Sequence, residues 1–358
     1  LIDPFDTVLG EPVVKDTIES SILRVRNYPG MSTSAVFSPG DNIGTSKLTL
    51  RVSEDPFDAA IIADNHGTET TGENRLRTDL YFNNPFGRAD LITANILQTF
   101  DPAENTYGGI SYVTPIGRPD LYFGLSYSQN AFEVAQGPFV GTGVGGANIE
   151  GDTTTYNLSL TKNMRLTRRS RVDLGFDFAS KDSEIKNLSF DSGDQLSIAS
   201  LFLGVEAVDN FISGGINQLQ VRYSTGLDDF AGSMDSTGDN GRSTRRGGSG
   251  EFAGGDFGKT NLRYQRLQRV TPSNSLLMRV EGQWSSDLLT SLEQVVMGGP
   301  NSVRGYPVAA LLVDEVLFGS VEWVIELTSL FGEGTGNTSV ALSFFGDYAE
   351  GKLNDPLP

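Results

Sequence analysis

Cysteine is absent from this chain, and histidine occurs once, as His66. A disulfide framework, a cysteine-ligated zinc site and a thiol nucleophile are thereby excluded. Long apolar runs are missing too. The stretch 308–313 is only six residues long, against the roughly 18 that a membrane helix needs. That excludes a helical span but not a barrel, whose strands need only about ten alternating residues. Positive charge is scarce: 27 Lys and Arg face 45 Asp and Glu, for a net charge of −18. A phosphate backbone demands a basic face, so nucleic acid is not an expected partner. The basic clusters at 165–171 and 242–246 are short and read as solvated turn charge. The chain opens at Leu1 with neither the basic nor the apolar segment of a signal peptide, and reads as a processed form or a fragment.

What the chain does have is 42 Gly, 21 Phe and 11 Tyr at only 38% hydrophobic content, which favours strands and turns over helices. Residues 1–55 stand apart. Over 11–26, Val14, Ile18, Ile22 and Val25 fall on one face of a helix. Asn27-Tyr28-Pro29-Gly30 stops it, and short β runs at 33–38 and 47–53 flank the turn Pro39-Gly40-Asp41-Asn42. From Phe57 the period changes to two. Val172, Leu174, Phe176 and Phe178 oppose Asp173, Gly175 and Asp177, while Leu121, Phe123, Leu125 and Tyr127 oppose Tyr122, Gly124 and Ser126. The polar side holds Gly, Ser, Thr, Asn and Asp more than Lys and Glu, which suits a wet lumen better than the outside of a sandwich.

Thirteen strands are predicted: 57–67, 73–83, 89–99, 105–114, 119–130, 152–163, 170–184, 195–208, 215–226, 259–269, 275–286, 315–327 and 338–349. Every second connection is short (84–88, 115–118, 164–169, 209–214, 270–274), while the long ones (131–151, 227–258, 287–314) all belong to the alternate set. A barrel with tight turns at one end and exposed loops at the other sorts its connections this way; a Greek-key sandwich does not.

The run Gly298-Gly299-Pro300-Asn301-Ser302-Val303-Arg304-Gly305-Tyr306-Pro307 lies after the eleventh strand. It cannot be helix or central strand, because Pro removes donors and Gly costs backbone entropy. Val303-Arg304-Gly305-Tyr306 resembles the V-R-G-[YF] motif of the Omp85 superfamily, and Met297 to Ser302 is similar to its form in the two-partner-secretion transporters (TpsB, the FhaC/ShlB type). The resemblance implies a loop folded into the barrel, with Arg304 paired to the aspartate of an F-x-D-x-G motif. Phe345-Gly346-Asp347 matches F-x-D, with Ala349 where that motif has Gly. Asp347 is thus the expected partner and Glu322, on the same face of the preceding strand, a second. Residues 1–55 resemble the end of a POTRA domain, the periplasmic module preceding such barrels.

Other features read as structure. His66 lies in the turn Asp64-Asn65-His66-Gly67; a hydrolase base there would need a nucleophile that the sequence does not show. The G-x-G-x-x-G at 141–146 lacks a following helix and reads as a loop. The segment 227–258, with Asp228, Asp229, Asp235 and Asp239, does not have calcium-loop spacing and reads as an exposed mobile loop.

The expected fold is an all-β transmembrane β-barrel of antiparallel strands; the resemblance implies about 16 of them, so that the 13 predicted make it incomplete, preceded by the C-terminal part of an α/β POTRA module. Residues 1–55 form the partial POTRA domain and 56–358 the barrel, whose loop 287–314 carries the motif. The resemblance implies no enzyme, no cofactor and no metal. It implies a monomeric transporter in the outer membrane of a Gram-negative bacterium, with POTRA in the periplasm. The partners would be a secreted TpsA-like exoprotein and outer-membrane lipid. An Omp85-type assembly factor and a passive porin are the alternatives.

Overall fold

The structure is a computed structural model, and the residues it describes are 4–6, 8–68, 70–100, 105–134, 149–186, 191–238, 242–327 and 340–357. Helix α1 (Lys15–Arg26) carries Asp16 in its first turn and Arg24 and Arg26 in its last, the charge order that its dipole favours. Its inner side buries Ile18, Ser21 and Val25. It ends at Asn27, and Gly30 then turns the chain at φ +67, where a Cβ would meet Asp55 O at 2.2 Å. Strands β1 (Met31–Pro39) and β2 (Ser46–Glu54) pair as an antiparallel hairpin. Phe5, Val25 and Tyr28 form a small core with Ala89, which belongs to a turn of the main sheet. Asn84 Nδ2 donates to Glu54 Oε1 at 2.7 Å and Asn83 Nδ2 to Asp55 O at 2.9 Å. The α/β unit is thus fastened to that turn by apolar contact and by hydrogen bonds.

The main sheet starts with β3 (Phe57–Asp64), β4 (Asn74–Asn83), β5 (Leu91–Phe100), β6 (Asn105–Pro115), β7 (Leu121–Val134) and β8 (Ile149–Leu166). It continues with β9 (Ser170–Lys186), β10 (Asp191–Asp209), β11 (Gly215–Gly226), β12 (Gly258–Thr271) and β13 (Asn274–Trp284). A short ribbon follows, β14 (Val295–Met297) with β15 (Leu311–Val313), before β16 (Glu315–Glu326) and β17 (Ala341–Lys352) return to the sheet. The order is β17-β16-β13-β12-β11-β10-β9-β8-β7-β6-β5-β4-β3, thirteen strands, each antiparallel to its neighbours. Among the described residues no pairing joins β3 to β17. The turns at 84–90, 116–120, 167–169, 210–214 and 272–273 share one end of the sheet, and 227–257 and 285–314 lie at the other. The connection 327–340 is the long one at the turn end, and most of it is outside the described residues.

Register sorts the side chains into two faces. One rung across β8 to β11 is Ser159, Asp177, Ser200 and Ser224; the next is Leu160, Phe176, Leu201 and Tyr223. The members of the second rung are all exposed, as are Leu158, Leu174, Leu203, Trp323 and Phe344 on the same side. A continuous apolar surface of this kind is stable against lipid and not against water. Two bulges interrupt the ladder, at Met164 between β8 and β9 and at Val270 between β12 and β13. Both are at the turn end.

The sequence predicts an exposed mobile loop at 227–258, but its described residues include packed and hydrogen-bonded ones. Met234 and Phe257 are buried with Leu196, Ile198 and Leu289 in one apolar cluster. The Ser243 hydroxyl and the Thr244 N–H both donate to Asp194 Oδ1 at 3.0 Å. Arg245 does not stand in solvent either. It forks onto Asp314, whose side chain is 0% exposed, with Nη2 to Oδ2 at 2.6 Å, and it also donates to Leu289 O at 2.6 Å. Composition misled here because Gly, Ser and Asp supply turns in a folded loop as readily as in a loose one, and the partners lie 44–69 residues away. Arg245→Ala leaves Asp314 buried without its counter-charge, a change worth about 3–5 kcal/mol. Protease added from the loop side is expected to cut the variant within 242–257 while sparing the wild type; equal digestion of both would refute this anchoring.

Candidate functional site

The loop 285–314 leaves β13, forms the β14–β15 ribbon and makes a tight bend between its strands. The glycines set that bend. Gly298 and Gly299 hold φ of +104 and +93, and a Cβ on Gly298 would meet Pro307 O at 2.2 Å. Gly299 N donates to Tyr306 O at 3.1 Å, closing the bend, and the Ser302 hydroxyl receives Gly298 N at 2.7 Å. Val303 packs on the cluster of Met297, Val313, Val316 and Phe318, beside Ala349. The Tyr306 side chain is exposed, and a Cβ on Gly305 would meet nothing.

With Val303 seated, Arg304 points to the polar face of β16 and β17. Its Nε donates to Asp347 Oδ2 at 2.8 Å and its Nη2 to Asp347 Oδ1 at 2.9 Å, a two-pronged contact that a lysine could not make. The backbone N–H of Arg304 also reaches Asp347 Oδ2, at 3.0 Å. Nη1 donates to Glu322 Oε2 at 2.6 Å and Nη2 to Ser320 Oγ at 3.2 Å. The guanidinium carbon lies 3.6 Å from the centre of the Phe345 ring, a cation–π contact. Hydrogen bonding to Asp347 and to Glu322 raises the already high pKa of Arg304, so the charge is permanent. Asp347 is 3% exposed and Arg304 19%. Strand pairing explains the convergence: Ser320 faces Asp347 across the ladder and Glu322 faces Phe345, so four neighbouring positions form one receptor.

The other contacts of this loop have no signal in the sequence. Arg279 on β13 donates to Asn301 O at 3.4 Å. Glu293 receives Lys181 Nζ from β9 at 2.6 Å and Lys259 Nζ from β12 at 2.7 Å. Burial alone would raise the Glu293 carboxyl pKa, but the two lysines outweigh it and hold the group below the usual carboxylate range. Alternation puts Lys181 on the face of Asp177, but nothing in the sequence ties either lysine to a residue in an irregular loop.

The remaining sequence features fall elsewhere. The backbone N–H of His66 donates to Asp64 Oδ1 at 2.9 Å, the bond of a turn, and its ring lies half exposed. With Thr68 and Glu73, His66 lines one side of a cavity of about 620 Å³ whose other side is the bend 299–310. The glycines of 141–146 lie outside the described residues, as does Asp239. Among the described residues no group of three or more acidic or histidine side chains is arranged to hold a metal ion.

Comparison with known proteins is consistent in direction. Residues 44–315 match the family model of the haemolysin secretion/activation proteins ShlB/FhaC/HecB. The outer membrane transporter CdiB of Escherichia coli O6:K15:H31 (strain 536 / UPEC) is 26% identical over 298 residues, which are 81% of this chain and 47% of that protein. The chain spans about half the length of the curated relatives it matches. The solved CdiB from Escherichia coli superimposes with a TM-score of 0.77 at 19% identity, covering 98% of this chain and 67% of that one. BamA from Haemophilus ducreyi lacking POTRA domains 1–3 gives 0.56 at 11% identity, over 93% of this chain and 65% of that one. These likenesses show the fold, that of an outer-membrane β-barrel.

The geometry ranks the partners of Arg304. Asp347→Asn removes the charge that receives three donors, and is expected to weaken docking of the loop by about 3 kcal/mol, the low end for breaking a buried pair. Glu322→Gln should cost only about 1 kcal/mol, as for a partly exposed pair. Hydrogen exchange over 298–307 measures both; equal effects would contradict this ranking.

Proposed function

The chain belongs to the haemolysin secretion/activation protein ShlB/FhaC/HecB family, and from that premise we propose that it exports a partner exoprotein across the outer membrane of a Gram-negative bacterium by two-partner secretion. Residues 1–55 are the partial POTRA domain, in the periplasm, and 56–358 the incomplete barrel. The helix over a β-hairpin at 15–54 supports the first assignment. Among the described residues β3 and β17 end the sheet without pairing to each other, which supports the second. Unpaired strand edges in lipid cost several kcal/mol per group, so further strands complete the wall, about three if the barrel has the sixteen that the resemblance to Omp85 transporters implies. The apolar face meets outer-membrane lipid, and the protein works as a monomer.

The substrate is a TpsA-like exoprotein held extended and unfolded, captured by strand addition at the POTRA edge. It passes over the polar face of the barrel once the inward loop yields. This is transport, not catalysis, and requires no cofactor. The observation that carries the reading is Arg304, docked from the loop onto Asp347 and Glu322 of the barrel wall. A passive porin would lack both the POTRA-like start and the inward arginine loop. A barrel-assembly factor shares the fold, but the family match does not point to it.

Arg304→Ala is expected to abolish export of the partner exoprotein, while the barrel still assembles. Exoprotein in the culture medium reports the first, and heat-dependent gel mobility of the barrel the second. Normal secretion by a folded variant would refute the reading.

A further inference from the structure

Glu293 is another charged residue through which the loop 285–314 grips the sheet, beside Asp287, whose Oδ2 receives Gly258 N at 2.7 Å, and its surroundings differ from those of Arg304. Its side chain is 4% exposed. Lys181 from β9 holds one carboxylate oxygen and Lys259 from β12 the other. Lys259 Nζ also donates to the backbone carbonyl of Glu293 at 2.8 Å, and Gln283 Nε2 joins it there at 3.1 Å. The turn before it is closed by Glu293 N to Thr290 O at 3.0 Å, and Leu289 anchors that turn in the apolar cluster under Met234 and Phe257. Arg304, by contrast, is held by β16 and β17. In the sheet order β13 separates β12 from β16, so the two anchors share no strand.

We propose that Glu293 is a second latch on the inward loop, a positioning residue that keeps the limb 285–294 against β9 and β12 after Arg304 has let go of its own partners. The inference rests on the reading of this chain as a transporter with a loop in its pore. A segment that never moved would be held as well by apolar side chains of the same volume. A carboxylate shared by two lysines behaves differently. It is strong while water is excluded and weak once water reaches it, so the contact is firm at rest and releases when the limb is pried out. Releasing the tip alone therefore leaves the limb in the lumen, and a full opening requires both anchors to part.

The test uses the full-length protein in planar lipid bilayers, comparing wild type with Glu293→Gln, Lys259→Met, Arg304→Ala and the Glu293→Gln/Arg304→Ala double variant. Each single variant is expected to raise the fraction of time in the large-conductance state by about tenfold or more, the change that corresponds to one charge-assisted hydrogen bond. The double variant should exceed either single, and Glu293→Asp should restore the quiet channel. A second readout follows the limb directly. The 358 residues contain no cysteine, so with any cysteine elsewhere in the full-length protein replaced, a thiol introduced by Thr290→Cys, at a 0% exposed position of the limb, reports alone, and a soluble maleimide should label it faster in the Glu293→Gln background. If Glu293→Gln fails to fold, shown by loss of the heat-dependent gel shift, Lys259→Met decides, since it removes the same contact from the sheet side. Channels as quiet as wild type in both Glu293→Gln and Lys259→Met, beside an open Arg304→Ala, would overturn the latch and leave the plugged-pore reading standing. Quiet channels in every variant would overturn both.

Discussion

A strand gives each successive side chain to opposite sides, and everything in this protein follows from how that constraint is met. Thirteen strands in one antiparallel order make the two sides continuous across the whole sheet. Rungs such as Ser159-Asp177-Ser200-Ser224 build a polar surface, and the adjacent Leu160-Phe176-Leu201-Tyr223 rung builds an apolar one. The polar surface can accept charged groups only where they meet partners. This is why the long loop lies against it at Arg304 and at Glu293, and why the folded segment 227–257 meets that loop through Arg245 and Asp314.

These contacts share a design. The loop brings a charge, and the sheet supplies counter-charges from more than one strand: β16 and β17 for Arg304, β9 and β12 for Glu293. Contact with several strands converts a single side chain into a reading of how those strands are arranged. It also makes the loop sensitive to distortion of the wall, because a small shift of one strand breaks a fork that tolerates little misalignment. Apolar seats at Leu289 and Val303 hold the backbone near each charge, so that specificity and burial are supplied by neighbouring residues.

The sheet was largely legible in the sequence because its signal is local. Period two over ten or so residues marks each strand, and the runs at 170–184 and 119–130 lie within or close to β9 and β7. Element ends were less legible: the helical spacing spans 11–26, but the helix begins at Lys15, after an extended Val14 that makes no side-chain cap. In the site, alternation assigned Asp347 and Glu322 to the polar face, but their link to Arg304 came from resemblance to a family and not from spacing. Glu293, Lys181, Lys259, Arg245 and Asp314 were not legible. Each pairs across tens of residues through an irregular loop, where neither period nor composition carries information.

The bulges at Met164 and Val270 set where this fold can change length. An insertion of one residue in mid-strand would invert every side chain beyond it, turning Phe176 to the polar side and Asp177 to the apolar side. Evolution can therefore lengthen these strands only by twos, or by single residues at the turn end, where a bulge absorbs the odd one before the ladder begins. The loops at the opposite end carry no such arithmetic. Divergence among relatives is thus channelled to that end, and alignments of the family should show gaps of any size there but paired or bulged steps within the wall.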